Sequence, residues 1–190
     1  MGLESRRTGT VKAGNESMED IDVRGVTANI GEMDVEEPAS GRYITDPDDT
    51  HRSAITFIGA DVAKRLFAGV DPIGQTLLID GRPFEVVGVA KPMGTVLGQS
   101  QDNFVYIPIQ TLLKIYGSNP RSMAINIQSR GPNWTVRTQE EARTLMRGRR
   151  HLRTGEDDSF GIFSASTVID RKSTRLNSSH IQKSRMPSSA

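Results

Sequence analysis

No cysteine occurs in the 190 residues, so disulfides and thiolate metal sites are excluded from the outset. Histidine is nearly as scarce. His51, His151 and His180 lie far apart without ligand spacing, and each reads as a surface side chain. Aromatics supply only 5% of the residues and apolar residues together 35%, low for a globular domain, with the polar excess gathered at both ends. No run approaches the roughly 18 consecutive apolar residues that would span a bilayer. The opening MGLESRRTGT lacks the apolar centre of a signal peptide. Reactive constellations are absent as well. Ser53, Ser100 and Ser122 are available hydroxyls for a small hydrolase, but no G-x-S-x-G elbow surrounds any of them. No cofactor motif stands out.

The formal charge of +1 comes from 24 Lys/Arg against 23 Asp/Glu, and it hides an asymmetry. Arg171 to Ala190 holds five bases, six serines and no acid; the remaining 19 bases against 23 acids leave residues 1–170 at −4. A mildly acidic body argues against a general nucleic-acid binder. The last twenty residues show no apolar period and suggest a disordered tail. They resemble translated sequencing-adapter read-through, and are expected to be non-native.

Most of the readable structure lies between Ile55 and Pro108. Ile55–Ile58 is a short apolar run ending at Gly59, as a buried strand reads. Val62, Ala63, Leu66 and Phe67 then fall on one helical stripe, leaving Lys64 and Arg65 to solvent, with Gly69 closing the helix. Asp71-Pro72-Ile73-Gly74 suits a type I turn. Thr76–Ile79 and Phe84–Val89 flank Asp80-Gly81, a dipeptide fitted to a type I′ hairpin turn, while Arg82 and Pro83 suggest a slightly longer loop or an edge strand. Leu78 and Val86 are expected in the buried layer of that hairpin. Gly94–Asp102 is polar and glycine-rich, a loop; Phe104–Ile107 is a strand stopped by Pro108. Gly69, Gly74, Gln75 and Thr76 imitate a P-loop, but Gln75 replaces the lysine, and a helix precedes where a strand is needed.

Elsewhere the pattern is thinner. Residues 1–17 read as poorly ordered or a weak strand around Val11, and Met18–Val26 as a half-exposed strand. Asn29–Pro38 is ambiguous. Arg42–Thr45 is a short extended piece before an acidic turn, Asp46–Asp49, that is either solvated or holds a cation. Ile109, Leu112, Leu113 and Tyr116 keep helical spacing up to Gly117. Met123, Ile125 and Ile127 alternate as a strand burying one face. A helix runs to about Arg150 with the stripe Val136, Ala142, Leu145 and Met146, and Thr138 and Glu141 in capping-box spacing near its start. Phe160–Phe163 marks a last short strand. Arg143, Arg147, Arg149, Arg150, His151 and Arg153 form a basic patch favoured by the helix dipole, or one that meets an anionic lipid or partner.

These pieces, in order, resemble the periplasmic core domain of MacB-like (FtsX-like) ABC-transporter permeases. The matching residues are Gly41-Arg42-Tyr43-Ile44-Thr45, Ile58-Gly59 with Val62-Ala63 and Leu66-Phe67, Asp71-Pro72-Ile73-Gly74, Ile79-Asp80-Gly81, Phe84-Glu85-Val86-Val87-Gly88-Val89 and Val105-Tyr106-Ile107-Pro108. Farther on, Ala142-Arg143 through Arg149-Arg150-His151, and Asp157-Asp158-Ser159-Phe160, resemble the family's helix and final strand. The resemblance implies an α+β fold of mixed small sheets with short helices: an inserted α/β subdomain at 18–108, half of a porter-like βαβ subdomain at 109–170, a poorly ordered 1–17 and a disordered 171–190. The first part of the domain would be missing and the edge it leaves exposed.

It also implies a non-enzymatic, extracytoplasmic role on the periplasmic face of the bacterial cytoplasmic membrane, in export or mechanotransmission. The expected partners are the transmembrane helices of the same permease, an ABC ATPase subunit or domain, a periplasmic adaptor and a second copy in a homodimer. No cofactor, metal or nucleic acid is expected. The loop Met93–Asn103 is the candidate contact surface, through Met93, Leu97, Gln99 and Gln101, together with Arg147, Arg149 and Arg150 of the basic patch. A free-standing binding module and a small hydrolase are the alternatives.

Overall fold

The computed structural model describes residues 1–33, 37–96, 98–117 and 123–164. The chain falls into two compact units, Met1–Gln128 and Ser129–Ala190.

The organising element of the first unit is a ring of strands. β1 (Gly2–Ala13) and β2 (Glu16–Val26) form a long antiparallel hairpin. After the short helix α1 (Ile30–Met33), β3 (Pro38–Gly41) and the helix α2 (Asp46–Thr50) comes β4 (Ile55–Ile58), followed by α3 (Ala60–Leu66). β5 (Thr76–Ile79) and β6 (Arg82–Ala90) make a second hairpin. A two-stranded ribbon, β7 (Thr95–Val96) with β8 (Gln99–Ser100), precedes β9 (Phe104–Pro108), α4 (Ile109–Tyr116) and β10 (Met123–Asn126). β9 lies parallel to β2 and antiparallel to β4, and β4 lies parallel to β6. β5 pairs with both β6 and β1, so the path β1–β2–β9–β4–β6–β5 returns to β1. Closure removes the free edges that an open sheet would carry. β10 extends β1 outside the ring, and β3 extends β6.

Two cores follow from the side-chain alternation of the central strands. The larger draws on every strand of the ring: Val11, Ile21, Val23, Ile58, Leu77, Ile79, Phe84, Val86, Val105 and Ile107, closed over by Val62 and Leu66 of α3 and Leu112 of α4. The smaller takes the alternate residues Phe57, Phe104 and Tyr106 with Ile30, Ile44 and Ile55. The ring of Phe104 stacks on Tyr106 at 4.4 Å, and Tyr43 meets Phe57 edge-on at 4.9 Å.

Several expectations require correction. Residues 1–17 contain the longest strand of the fold, whose polar composition reflects outward-facing side chains on a strand paired along its whole length. β3 occupies Pro38–Gly41, just ahead of the extended piece read at Arg42–Thr45. The hairpin turn is two residues long, with Asp80 at φ 47° and Gly81 at φ 78°, as type I′ requires; Arg82 and Pro83 already belong to β6. The turn before β5 lies one residue later than expected, over Pro72–Gln75: the Gln75 amide donates to Pro72 O, and Gly74 at φ 77° in the third position makes it type II. Leu77 and Ile79 face the core while Leu78 is only half-buried. Val86 is buried as expected. Ile125 and Ile127, expected to be covered, are 44% and 47% exposed.

In the second unit the turn Pro132–Trp134 leads into α5 (Thr135–Arg149), which buries no residue. Its start lies three residues before Thr138, so Thr138 and Glu141 sit inside the helix and do not cap it. Val136 and Leu145, half of its expected stripe, are 72% and 61% exposed. Phe160–Phe163 is irregular, not a strand. The tail from residue 171 lies outside the described residues.

The register of β5 is open to a direct test. Leu77→Ala should cost about 2–5 kcal/mol and Leu78→Ala clearly less, read from denaturant unfolding at constant m-value. Equal losses would show that Leu78, not Leu77 alone, packs in the core.

Candidate functional site

The loop between β6 and β9 is built from its base outward. Asp102 is buried, and its carboxylate accepts the amides of Met93 (2.7 Å) and Gly94 (2.9 Å), gathering both ends of the loop on one side chain. Ser100 Oγ donates to Asp61 Oδ2 at 2.5 Å and accepts the Asp102 amide at 3.0 Å. The Gln101 amide donates to Gly94 O, closing the ribbon β7–β8. Where a loose loop was expected, the chain forms a tethered finger. Asp102 carried no sequence signal, since an acid in a polar loop looks like any solvated acid.

The finger stands against the start of α3. The Asp61 amide donates to Asp102 O, and the Gly59 amide to Phe104 O at 2.9 Å. A Cβ at Gly59 would lie 2.1 Å from Asp102 O, so only glycine admits this approach. Among the candidate contact residues, Met93 is 42% exposed, and Gln99 and Gln101 are exposed. Leu97 lies outside the described residues. Ser100 is used as a strut in the finger, bonded to an acid and a backbone amide; Ser122 lies outside the described residues.

The basic patch is more engaged than its composition suggests. Arg147 donates to Asp158 Oδ1 (2.6 Å), Glu156 O (2.8 Å) and Arg153 O (2.7 Å). Arg143 bridges Glu140 and the same Asp158. Arg150 donates to Ser159 O at 2.8 Å and lies over the Phe160 ring. These arginines fold the segment after α5 back along the helix, which gives Asp158, Ser159 and Phe160 a structural explanation. Arg149 is exposed and makes no ion pair among the described residues. The two candidate regions belong to different compact units, so each is a surface in its own right.

The acidic stretch Asp46–Asp49 is helix α2, not an open turn. Asp48 is buried at its start, where its carboxylate takes Arg42 bidentately (2.6 and 3.1 Å) and accepts the Thr45 amide at 2.9 Å and hydroxyl at 2.6 Å. Asp49 Oδ1 accepts the Gln110 amide at the start of α4. These acids therefore act as caps. Among the described residues no three acidic or histidine side chains converge in a way that could hold a metal ion. The turn that imitates a P-loop opens directly into β5, with no helix N-terminus for a phosphate.

A family model described as the MacB-like periplasmic core domain matches residues 3–145. Among curated relatives, the macrolide export ATP-binding/permease protein MacB of Azoarcus sp. is 34% identical over 142 residues, covering 73% of this chain and 21% of the relative. The pyoverdine export ATP-binding/permease protein PvdT of Pseudomonas syringae pv. tomato is 33% identical over 123 residues, covering 63% of the chain and 18% of the relative. The chain thus spans about a fifth of the length of the curated relatives it matches. Among solved structures, the periplasmic region of MacB from Actinobacillus actinomycetemcomitans superposes with TM-score 0.70 at 18% identity, over 90% of this chain and 75% of that one. The extracellular domain of the Gram-positive transporter YknZ gives 0.68 at 21% identity, over 80% and 76%. Both likenesses concern the fold.

The Arg42–Asp48 clasp sets a pH dependence. The Arg42 hydrogen bond, helped by those from Thr45, lowers the Asp48 carboxyl from 3.8 to about 2. A carboxyl depressed by folding stabilises the fold fully above its unfolded value, and that contribution is lost as pH falls through the folded one. Unfolding midpoints should therefore drop between about pH 4 and pH 2, and Asp48→Asn should flatten that part of the profile. An unchanged slope in the variant would place the acid sensitivity elsewhere.

Proposed function

The chain belongs to the MacB-like periplasmic core domain family, and from that premise we propose that it is a non-catalytic relay within an ABC-transporter permease. Its setting is the periplasmic side of the membrane. In this reading, ATP-driven movement of membrane helices reaches the domain, which passes it on to cargo or to a partner protein. The observation that carries it is the finger Met93–Asn103, whose described residues at its tip are exposed and whose base is tied to the two-sided core by Asp102, Ser100 and Gly59. A relay needs stiffness beneath an exposed contact, and this arrangement supplies both.

The relatives' names describe ATP-binding/permease proteins for macrolide and pyoverdine export. They support an ATPase as a subunit or domain of the same assembly, with export as the activity. A periplasmic adaptor at the finger and a homodimer of the full permease complete the proposal. We further read residues 18–108 as the inserted subdomain, and 109–170 as one half of a porter-like subdomain. The exposed Ile125 on β10 and Ile127 just beyond it support this, as do, separately, the exposed Val136 and Leu145 on α5. A strand or helix face of this kind is stable when a further layer covers it.

The test is made in the full-length permease reconstituted with its ATPase. Alanine at Gln99 and Gln101 together should reduce substrate efflux several-fold, leaving basal ATP hydrolysis and the domain's melting temperature unchanged. Arg149→Ala should also leave stability unchanged, whereas Arg147→Ala should lower it by loosening the segment that Asp158 holds. Efflux at the wild-type level in the Gln99/Gln101 variant would remove the finger from the relay.

A further inference from the structure

The strand ring has one seam unlike the rest. β1 and β5 meet through two pairs only, Val11 with Ile79 and Lys12 with Leu78. The antiparallel joint of β4 with β9 is as short, but the core covers it on both faces, and Thr56 Oγ1 donates to Tyr106 O within it. At the β1–β5 seam Val11 and Ile79 are buried, while Lys12 is exposed and Leu78 half-buried. Few backbone bonds and one wet face mark a place of low local stability.

A cluster of side chains closes it. Thr10 is the residue at which the β1–β2 register slips, between Gly9 opposite Ile21 and Val11 opposite Met18. The surplus residue of that slip is on β2, where Glu19 and Asp20 lie between the two pairs, and the backbone of Thr10 meets Asp80 in the hairpin turn: the Asp80 amide donates to Thr10 O at 2.8 Å, and the Thr10 amide to Asp80 Oδ1 at 2.9 Å. The other carboxylate oxygen accepts Tyr116 Oη at 3.0 Å and faces Arg7 Nη2 at 3.3 Å. The Arg7 guanidinium lies 3.5 Å from the centre of the Tyr116 ring. Tyr116 is the last residue of α4, the helix that rests on β2 and β1.

We propose that the β1–β5 seam is a latch, in which Asp80 holds the strand ring closed and Tyr116 ties that hold to the end of α4. A shift of the helix end would withdraw the hydroxyl and the stacked ring together, leaving Asp80 with Thr10 and Arg7 alone, and the ring would open at this seam while the rest of the core stayed packed. Burial first, then the bond to Asp80, push the Tyr116 hydroxyl up to about 12, and like any tyrosine it is a donor throughout the physiological range. The latch stands on the geometry of the seam alone, whatever the domain contacts outside it.

Hydrogen exchange on the 190-residue chain reads it. Asp80→Asn keeps a residue that tolerates the left-handed turn but replaces one carboxylate oxygen with an amide. Tyr116→Phe leaves Asp80 and its backbone bonds in place and removes only the helix-end hydroxyl. The amide at position 80 should exchange about tenfold faster in the first variant and about threefold faster in the second. Val105 and Ile107 in β9 should keep their protection in both. A disulfide between Lys12→Cys and Leu78→Cys should restore slow exchange at position 80 in the Tyr116→Phe background. Unchanged exchange at position 80 in Tyr116→Phe, or acceleration equal to that at Val105 and Ile107, would overturn the latch.

Discussion

Everything in the first unit depends on β9 having water on neither side. Phe104 to Pro108 are all buried, and alternation sends Val105 and Ile107 into one core and Phe104 and Tyr106 into the other. The backbone of such a strand must find its partners within the protein, because an unpaired buried amide or carbonyl costs about 1–3 kcal/mol. β2 and β4 supply them, one parallel and one antiparallel. Close approach of the neighbouring chain is the accompanying demand. Gly59 lets Asp102 O come near, and a Cβ at Gly88 would lie 2.2 Å from Arg42 O. The finger and the Arg42–Asp48 clasp are therefore held to the central strands through glycines.

Local signals were legible wherever one residue type answers one backbone need. Asp80-Gly81 named its turn because few residues accept φ above zero in both positions. The stripes Val62–Leu66 and Ile109–Leu112 named their helices, since each buries one side against the ring. What escaped the sequence was non-local. β1 looks polar because a strand can be fixed by backbone pairing to β2, β5 and β10 while showing water much of its length. The run Thr76-Leu77-Leu78-Ile79 hid its alternation, because three adjacent aliphatics give no contrast between faces. Ring closure was invisible for the same reason: it rests on two pairs between segments far apart in sequence.

The candidate contact surface was half legible. A long glycine-rich stretch read as a loop, but nothing in its composition showed the ribbon within it, or that Asp102 would face inward and anchor it. The basic patch misled in the other direction. A run of arginines near a helix end invites an anionic partner, yet the acids and carbonyls that answer Arg143, Arg147 and Arg150 lie a few residues farther along the same chain. Counting charge within a window overlooks such local pairing, whereas Arg149 faces solvent and makes no ion pair among the described residues.

A domain proposed to relay movement has opposing requirements. It must be stiff where it bears on a partner and yielding where it receives a displacement. The cores on both faces of β9 supply the first, because close-packed side chains deform little and transmit strain. A ring whose joints were all equally buried would leave no place for the second. The strand order resolves this by closing on its least covered joint, where polar contacts at Asp80 supplement a single buried pair, Val11 with Ile79. Polar contacts break over short displacements while apolar burial is lost gradually. A seam held by a carboxylate can therefore open and reclose without melting the core behind it.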